Sequence, residues 1–177
     1  MKYITSRQAS DLLKAATDSR DYAMLLITLR YGLRVGELVG LQQSDIVDGK
    51  ITIRREKGSN TGAYSVSNDI AAALGEYGKG RIDNATNVFT GRFGALTTRF
   101  AQLMFKRIAA AAGIKDNSIH CLRHTCAVLM LDAGLDLADV QDQLGHKSIQ
   151  STLVYAAVSN KRRTAYEKVN FLNLEEK

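Results

Sequence analysis

Five residues between positions 120 and 155 are of types that could together bind and attack a phosphate. The three histidines of the chain all lie here, as His120, His124 and His146, together with Arg123 and Tyr155. On a helix, residues three positions apart share a face, so His120 and Arg123 could hold an anion in one cleft. A histidine and an arginine near a helix start also bond nearby carbonyl groups, and this pair alone leaves both interpretations open.

His146 and Tyr155 stand in different surroundings. His146 follows Gly145 just before a predicted helix, whose N-terminal amides favour an anion nearby. Tyr155 lies in the apolar sequence TLVYAA. It could be a nucleophile, or it could be a core aromatic residue whose hydroxyl is hydrogen-bonded. Taken alone, each residue also has an ordinary structural explanation.

The ligand count argues against a zinc site. His120 and His124 are four positions apart, but no glutamate follows the first histidine and Cys121 faces away. Cys121 and Cys126 are the two cysteines of the chain, and their side chains diverge on a helix, so no disulfide is expected. We assign His124 to structure, with a buried hydrogen bond.

Composition predicts one soluble domain over residues 1–177. Hydrophobic residues make up 45% of the chain, and no apolar run reaches the roughly 18 residues of a membrane span. The net charge of +6 favours a polyanionic partner, either nucleic acid or an anionic membrane surface, although many basic proteins bind neither. Without a signal-like N-terminal segment, the expected location is the cytoplasm.

The elements that must position these residues are mostly helical. Thr5 and Gln8 resemble a capping box for a helix over residues 6–17, and a second, apolar helix ends at Gly32. Two β-branched runs flank the turn-forming sequence KGSNTG, which predicts a hairpin with Lys57 at its start. The remaining expected helix signals are a cap at Asn68, breaks at Gly113, Gly134 and Gly145, and caps at Asp136 and Ser148. The predicted fold is mainly α with a small antiparallel β-sheet.

Several motifs together resemble a known family. The order HCLRH, then LGH, then a tyrosine nine residues past that histidine resembles the C-terminal motifs of the tyrosine recombinases, the phage integrase family. YGLRVGEL resembles that family's first arginine motif, with Arg34 as the arginine and Glu37 as its companion. REKGSNTG resembles its lysine turn, with Lys57 as the match. Such motifs in one order along nearly the whole chain are far more specific than any one alone.

The resemblance implies the fold of a tyrosine recombinase catalytic domain, the DNA breaking-rejoining enzyme fold, and a catalytic set. That set is Arg34, Lys57, His120, Arg123, His146 and Tyr155. Arg34 and Arg123 would clamp the phosphate, because guanidinium groups suit its geometry and stay charged. His146 would donate a hydrogen bond to the same oxygens.

The proton transfers complete the implied reaction. Tyr155 would attack the phosphate and form a 3′-phosphotyrosyl link, releasing a 5′-hydroxyl. His120 is the best candidate to accept the tyrosine proton, because the ordinary pKa of histidine lies near working pH. Lys57 would protonate the departing oxygen.

The same resemblance implies the cofactors and partners. No metal is expected because two arginines replace it, and no nucleotide cofactor is expected because the phosphotyrosine conserves the bond energy. The substrate would be double-stranded DNA, bound by a homotetramer on the recombining sites and by a monomer in free solution. Accessory DNA-bending proteins are possible partners, and no membrane partner is expected. Action on DNA implies a place at the nucleoid of a bacterial, archaeal or phage-infected cell.

The chain also departs from the family pattern. Family members commonly carry a DNA-binding domain before the first arginine motif, whereas 33 residues precede Arg34 here, so this core-binding domain is expected to be absent. The chain is then a small recombinase or a piece of a longer integrase. Ile119 stands where the family often has proline. The segment 160–177 packs on its own domain or on a neighbouring protomer, and Tyr166 within it is assigned to packing.

Two other functions remain open on the sequence. A DNA-binding or regulatory module would keep the fold without cutting DNA. Such a module would lack a catalytic residue, whereas this chain has a residue at every matched catalytic position. A type IB topoisomerase would use similar chemistry to relax DNA without exchanging partners. Its motifs are less similar to HCLRH and LGH than those of integrases.

Overall fold

Helices account for most of the structure, a computed structural model that describes residues 2–55, 59–81 and 83–156. The helices are α1 (Ser6–Ala15), α2 (Ser19–Tyr31), α3 (Val35–Gly40), α4 (Asn68–Lys79), α5 (Thr98–Ala111), α6 (His120–Asp132), α7 (Leu137–Leu144) and α8 (Gln150–Ala156). The strands are β1 (Ile46–Val47), β2 (Lys50–Ile53), β3 (Gly62–Ser65), β4 (Thr90–Gly91) and β5 (Gly94–Ala95). The predicted fold class, mainly α with small antiparallel sheets, is confirmed.

The first two helices have the predicted ends. The Thr5 hydroxyl accepts from the Gln8 amide at 3.2 Å, and the Gln8 side chain accepts from the Thr5 amide at 2.9 Å, which completes the capping box. Helix α1 ends at Ala15, two residues before the predicted end, because Ala16 is already extended. Helix α2 ends at Gly32, whose φ of +61° favours glycine.

The predicted hairpin is formed by β2 and β3. The two strands pair antiparallel, with Ile51 opposite Tyr64, and β1 pairs with the other edge of β2. Ile51 and Ile53 are buried while the residues beside them are less so, as alternation along a strand requires. The hairpin therefore packs one face on the helical core.

The C-terminal half is helical, as predicted. Gly113, Gly134 and Gly145 all have positive φ and lie where helices end, and the Asp136 carboxylate accepts from the Ala138 and Asp139 amides. The predicted cap at Asn68 is wrong by one residue. Asn68 is the first residue of α4 and Ser67 is the capping residue.

The buried side chains form two clusters, and the smaller one contains the predicted nucleophile. The larger cluster extends from Ile4 to Leu122 and includes most of α2. The smaller cluster consists of Ala127, Val128, Leu131, Val140, Leu144 and Tyr155, contributed by α6, α7 and α8. Helix α6 therefore contributes to both, and it carries the HCLRH motif at its start.

Two further features bear on the expectations from composition. Cys121 and Cys126 are both buried free thiols. In the part of the chain that the structure describes, every helix is too short or too polar to cross a membrane.

Candidate active site

Arg34 lies at the start of α3 and is bound twice to Glu37. Its Nη1 atom donates to Glu37 Oε1 at 2.8 Å, and its backbone amide donates to Glu37 Oε2 at 2.8 Å. The Arg34 side chain is 24% exposed, whereas that of Glu37 is 1% exposed. Glu37 thus holds Arg34 from the buried side and leaves part of the guanidinium accessible to a ligand.

The Glu37 carboxylate is ionised although it is buried. Burial alone would raise its pKa, but the Arg34 amide and the Arg55 guanidinium outweigh that effect, so the pKa lies below its ordinary value of 4.5. Arg55 Nη1 donates to Glu37 Oε2 at 2.9 Å. A single carboxylate therefore serves two arginines.

Arg123 is held by backbone carbonyls from two distant segments. Its Nη1 donates to the Gly32 oxygen at 2.6 Å, and its Nη2 donates to the Leu144 oxygen at 2.9 Å. The residue is 2% exposed. Burial first, and then the charges of Arg34 and Arg55, lower the pKa of Arg123 to about 10, which still leaves it protonated at neutral pH.

The two predicted clamp arginines share one neighbourhood. Arg123 Nη1 lies 4.0 Å from Glu37 Oε2, the oxygen that accepts from the Arg34 amide. Three guanidinium groups therefore surround one carboxylate, and the net positive charge suits an anionic ligand such as a phosphodiester.

Tyr155 lies on α8 with its hydroxyl directed at His124. The phenolic oxygen is 2.9 Å from His124 Nδ1, and the residue is 2% exposed. Burial raises the pKa of Tyr155 above its ordinary value of 10.0, and the nearby charges of Arg123 and Arg34 act in the opposite direction. In this arrangement the phenol is protonated and shielded from solvent.

His124 connects Tyr155 to His120. The imidazole rings of His120 and His124 meet edge to face, with centroids 5.0 Å apart. Burial, and then His120 and Arg123, lower the pKa of His124 to about 4, so its ring is neutral at physiological pH. The hydrogen bond expected for His124 is present but only partly buried, and its partner is the predicted nucleophile. The spacing of four residues between the two histidines was the available signal, because it predicts neighbours on one helix face.

His146 is positioned by the end of α7 and by the chain that leads into β3. Its Nδ1 lies 3.0 Å from the Thr152 hydroxyl, and its backbone forms an isolated bridge with Ser59. Burial, followed by the charges of Arg123, Arg34 and Arg55, lowers the pKa of His146 to about 4. Arg123 Nη2 bonds to the carbonyl of Leu144, two residues before His146, so this loop is held close to the predicted clamp arginines.

Lys57 lies outside the described residues, as does Tyr166. Arg55, two positions before Lys57, was not selected from the sequence although its side chain is 0% exposed. A signal was present: Ile51, Ile53 and Arg55 follow the alternation that buries every second residue of a strand. Within residues 2–55, 59–81 and 83–156, no group of three or more His, Cys, Asp or Glu side chains is arranged to hold a metal ion.

Comparison with known proteins identifies the family. The sequence model of the phage integrase family matches residues 2–162, which is most of the chain. The chain belongs to the phage integrase family. The prediction of a tyrosine recombinase is confirmed by this match and by the relatives.

Among curated relatives, the type 1 fimbriae regulatory protein FimE of Escherichia coli K12 is 31% identical, over 97% of this chain and 94% of FimE. The tyrosine recombinase XerC of Corynebacterium glutamicum is 34% identical, over 91% of this chain and 56% of XerC. The crystal structure of XerA recombinase superposes with a TM-score of 0.83 at 28% identity, over 95% of this chain and 63% of XerA. This integrase-family chain thus spans nearly all of FimE and a little over half of XerC.

The family match gives the arrangement a chemical reading. Arg34 and Arg123 both lie against Glu37, and their charges act on the pKa values of His146 and Tyr155. His120 reaches this group through His124. Five of the six residues predicted from the sequence are therefore brought together, and the sixth, Lys57, is not described.

Proposed function

We propose that this integrase-family chain cuts and rejoins double-stranded DNA at specific sites through a covalent bond between Tyr155 and a 3′-phosphate. The observation that carries the proposal is the convergence of Arg34 and Arg123 on Glu37, with the charges of both arginines acting on the buried phenol of Tyr155. Attack on a phosphodiester builds negative charge on the non-bridging oxygens, and fixed guanidinium donors stabilise that charge.

Tyr155 must leave its bond with His124 before it can attack. The side chain is 2% exposed, so no DNA phosphate reaches its oxygen in the arrangement described. We propose that α8 shifts when DNA binds and that His120, which is exposed and adjacent to His124, accepts the proton of the freed phenol. The attacking oxygen then bonds to phosphorus while the bond to the 5′-oxygen breaks.

The remaining roles belong to His146 and Lys57. His146 would donate a hydrogen bond to a non-bridging oxygen, and Lys57 would protonate the leaving 5′-oxygen. The three arginines near Glu37 supply positive charge where other phosphoryl-transfer enzymes use a metal ion. This supports a metal-independent reaction, which would proceed in EDTA.

The assembly follows from the reaction. Rejoining to a new strand requires two duplexes and four cuts, so we propose that residues 1–177 act as one catalytic domain and that four copies assemble on the recombining sites. The net charge of +6 supports binding to the phosphate backbone. A DNA substrate would place this activity at the nucleoid.

A strand-exchange assay tests this function against its two rivals. Two duplexes with different end labels and one shared target site are incubated with the protein in EDTA, and the products are separated on a denaturing gel. Recombinant strands carrying both labels support the proposal. Relaxation of supercoiled DNA without exchanged labels would support a topoisomerase, and salt-sensitive binding without either product would support a binding module.

A further inference from the structure

Arg55 is a buried arginine outside the predicted catalytic set. Its Nη1 donates to Glu37 Oε2 at 2.9 Å and to the Gly32 oxygen at 3.3 Å. Its Nη2 donates to the Tyr31 oxygen at 2.9 Å and also to the Gln143 oxygen. A side chain that is 0% exposed and bonded to four acceptors does not contact DNA.

The backbone acceptors of Arg55 lie two or three residues before two predicted active-site residues. Gly32 caps the C-terminus of α2 and lies two residues before Arg34. Gln143 is in the last turn of α7, three residues before His146, where carbonyl groups are free to accept a cation. Arg55 therefore joins the segment that carries the first arginine to the loop that carries the last histidine.

Arg123 joins the same two segments by a parallel set of bonds. It donates to Gly32 and to Leu144, the residue after the Gln143 carbonyl that Arg55 uses. The two guanidiniums thus share one backbone acceptor and take neighbouring acceptors at the end of α7. Arg123 belongs to the family's catalytic motif, whereas Arg55 has no role assigned by it.

The charges give Arg55 a second role. Glu37 contacts Arg34 and Arg55 at 2.8 and 2.9 Å, and Arg123 lies at 4.0 Å. Without Arg55, the buried carboxylate would be balanced mainly by Arg34, the arginine that is partly open to a ligand. The positive charge that Arg34 offers to a phosphate would fall accordingly.

We propose that Arg55 is a positioning residue for strand cleavage. Arg55 neutralises Glu37, so that the charge of Arg34 is available to the scissile phosphate. Arg55 also fixes the end of α7 at Gln143, so that His146 is held close to the same phosphate. The inference rests on the proposed cleavage by Tyr155 and adds a buried third arginine to it.

The test compares two variants, Arg55→Met and a control, Arg54→Met, which changes the neighbouring arginine. Both proteins are given, at saturating concentration, a nicked duplex that the wild type captures from a random pool, and the rate of covalent adduct formation and the dissociation constant for the same duplex without the nick are measured separately. Arg55→Met should slow adduct formation about 10- to 100-fold, a loss expected when charge and position are both disturbed, and change the dissociation constant less than about threefold. Arg54→Met removes the adjacent arginine, which is 68% exposed and pairs with Asp45, and should keep the cleavage rate within about threefold.

A second background separates positioning from simple loss of structure. Glu37→Gln removes the charge that Arg55 neutralises but keeps a side-chain oxygen for the Arg34 amide. The fold-reduction in cleavage rate that Arg55→Met causes should be at least about five times smaller in the Glu37→Gln background than in the wild type, because the effects of coupled residues are not additive. Arg55→Lys, which keeps the charge with fewer donors, should fall between Arg55→Met and wild type, and it serves if Arg55→Met does not fold.

The outcomes distinguish this inference from the function beneath it. If the wild type forms no adduct, the proposed cleavage is wrong and the role of Arg55 falls with it. If the wild type cleaves, the inference alone is overturned by any of three results: an unchanged rate in the Arg55 variants, the same loss in the Glu37→Gln background, or a loss confined to DNA affinity.

Discussion

The phenolic oxygen of Tyr155 lies 2.9 Å from Nδ1 of His124, and this bond ties the last described helix to the HCLRH helix. Tyr155 is 2% exposed and His124 is neutral at physiological pH because its pKa is lowered to about 4. A neutral partner holds the phenol without taking its proton. The proposed nucleophile is therefore protonated and buried in this arrangement, and the proposed attack requires α8 to move first.

The first prediction concerns this bond. His124→Leu leaves the buried hydroxyl of Tyr155 without its partner and should lower the free energy of unfolding by about 1–3 kcal/mol. In a Tyr155→Phe background the hydroxyl is absent, so the loss in free energy of unfolding caused by His124→Leu should be smaller by about 1 kcal/mol. Urea unfolding of the four proteins measures the difference, and equal losses in both backgrounds would mean that the bond contributes nothing.

The second prediction concerns pH. The pKa values of His124 and His146 are lowered from 6.5 to about 4, so in that interval the unfolded chain binds protons that the folded chain does not. The free energy of unfolding should therefore be highest above pH 6.5 and fall as the pH decreases towards 4. The charged groups that act on these histidines are Arg34, Arg55 and Arg123, and the titratable ring of His120 lies against His124.

Urea unfolding at pH 7, 6 and 5 checks the sign of this dependence. A double variant, His124→Gln with His146→Gln, should lose much less stability between pH 7 and 5 than the wild type. This window lies above the range where carboxylates such as Glu37, with its lowered pKa, begin to protonate. An identical slope in the two proteins would show that these histidines are not the cause.

The third prediction concerns Thr152, a buried residue whose hydroxyl lies 3.0 Å from Nδ1 of His146. A hydroxyl that donates to Nδ1 leaves the ring proton on Nε2, where it is available to a phosphate oxygen. Thr152→Val should slow adduct formation about tenfold, since a misoriented donor forfeits part of its effect. Thr152→Ser keeps the hydroxyl and should retain most of the rate, so equal defects in the two variants would point to lost packing instead.

The fourth prediction separates the two clamp arginines by burial. Arg34 is partly exposed and Arg123 is buried, although both are expected to contact the phosphate. Arg34→Ala should lower cleavage about 100-fold or more and stability by only about 1 kcal/mol. Arg123→Ala should lower cleavage similarly and stability by about 3–5 kcal/mol, because it also frees two buried carbonyls. Comparable stability losses in thermal unfolding would contradict this assignment.

The sequence predicted elements well where the signal was local. The Thr5 and Gln8 capping box, the stop at Gly32 and the breaks at Gly113 and Gly134 all depend on residues within one turn of the chain. The cap at Asn68 was placed one residue late because Ser67 and Asn68 are both good capping residues, and propensity alone does not choose between them.

The contacts between distant segments were not predictable in this way. Arg55 meets Gln143 and Tyr155 meets His124 only once α6, α7 and the β2–β3 hairpin have packed together. Motif resemblance selected Tyr155 but gave no partner for its hydroxyl. Burial of Arg55 followed the strand alternation, yet its role depends on Glu37, which the sequence separates by 18 positions.

Tyr155 is the residue that we propose becomes joined to DNA. Wild type and Tyr155→Phe are each incubated in EDTA with a pool of nicked duplexes, and the protein joined to DNA is isolated on a denaturing gel and mapped by mass spectrometry. We expect an adduct at the 3′ end, formed by the wild type alone and carried on the peptide that contains Tyr155. An adduct formed by Tyr155→Phe, or one mapped to another residue, would contradict it.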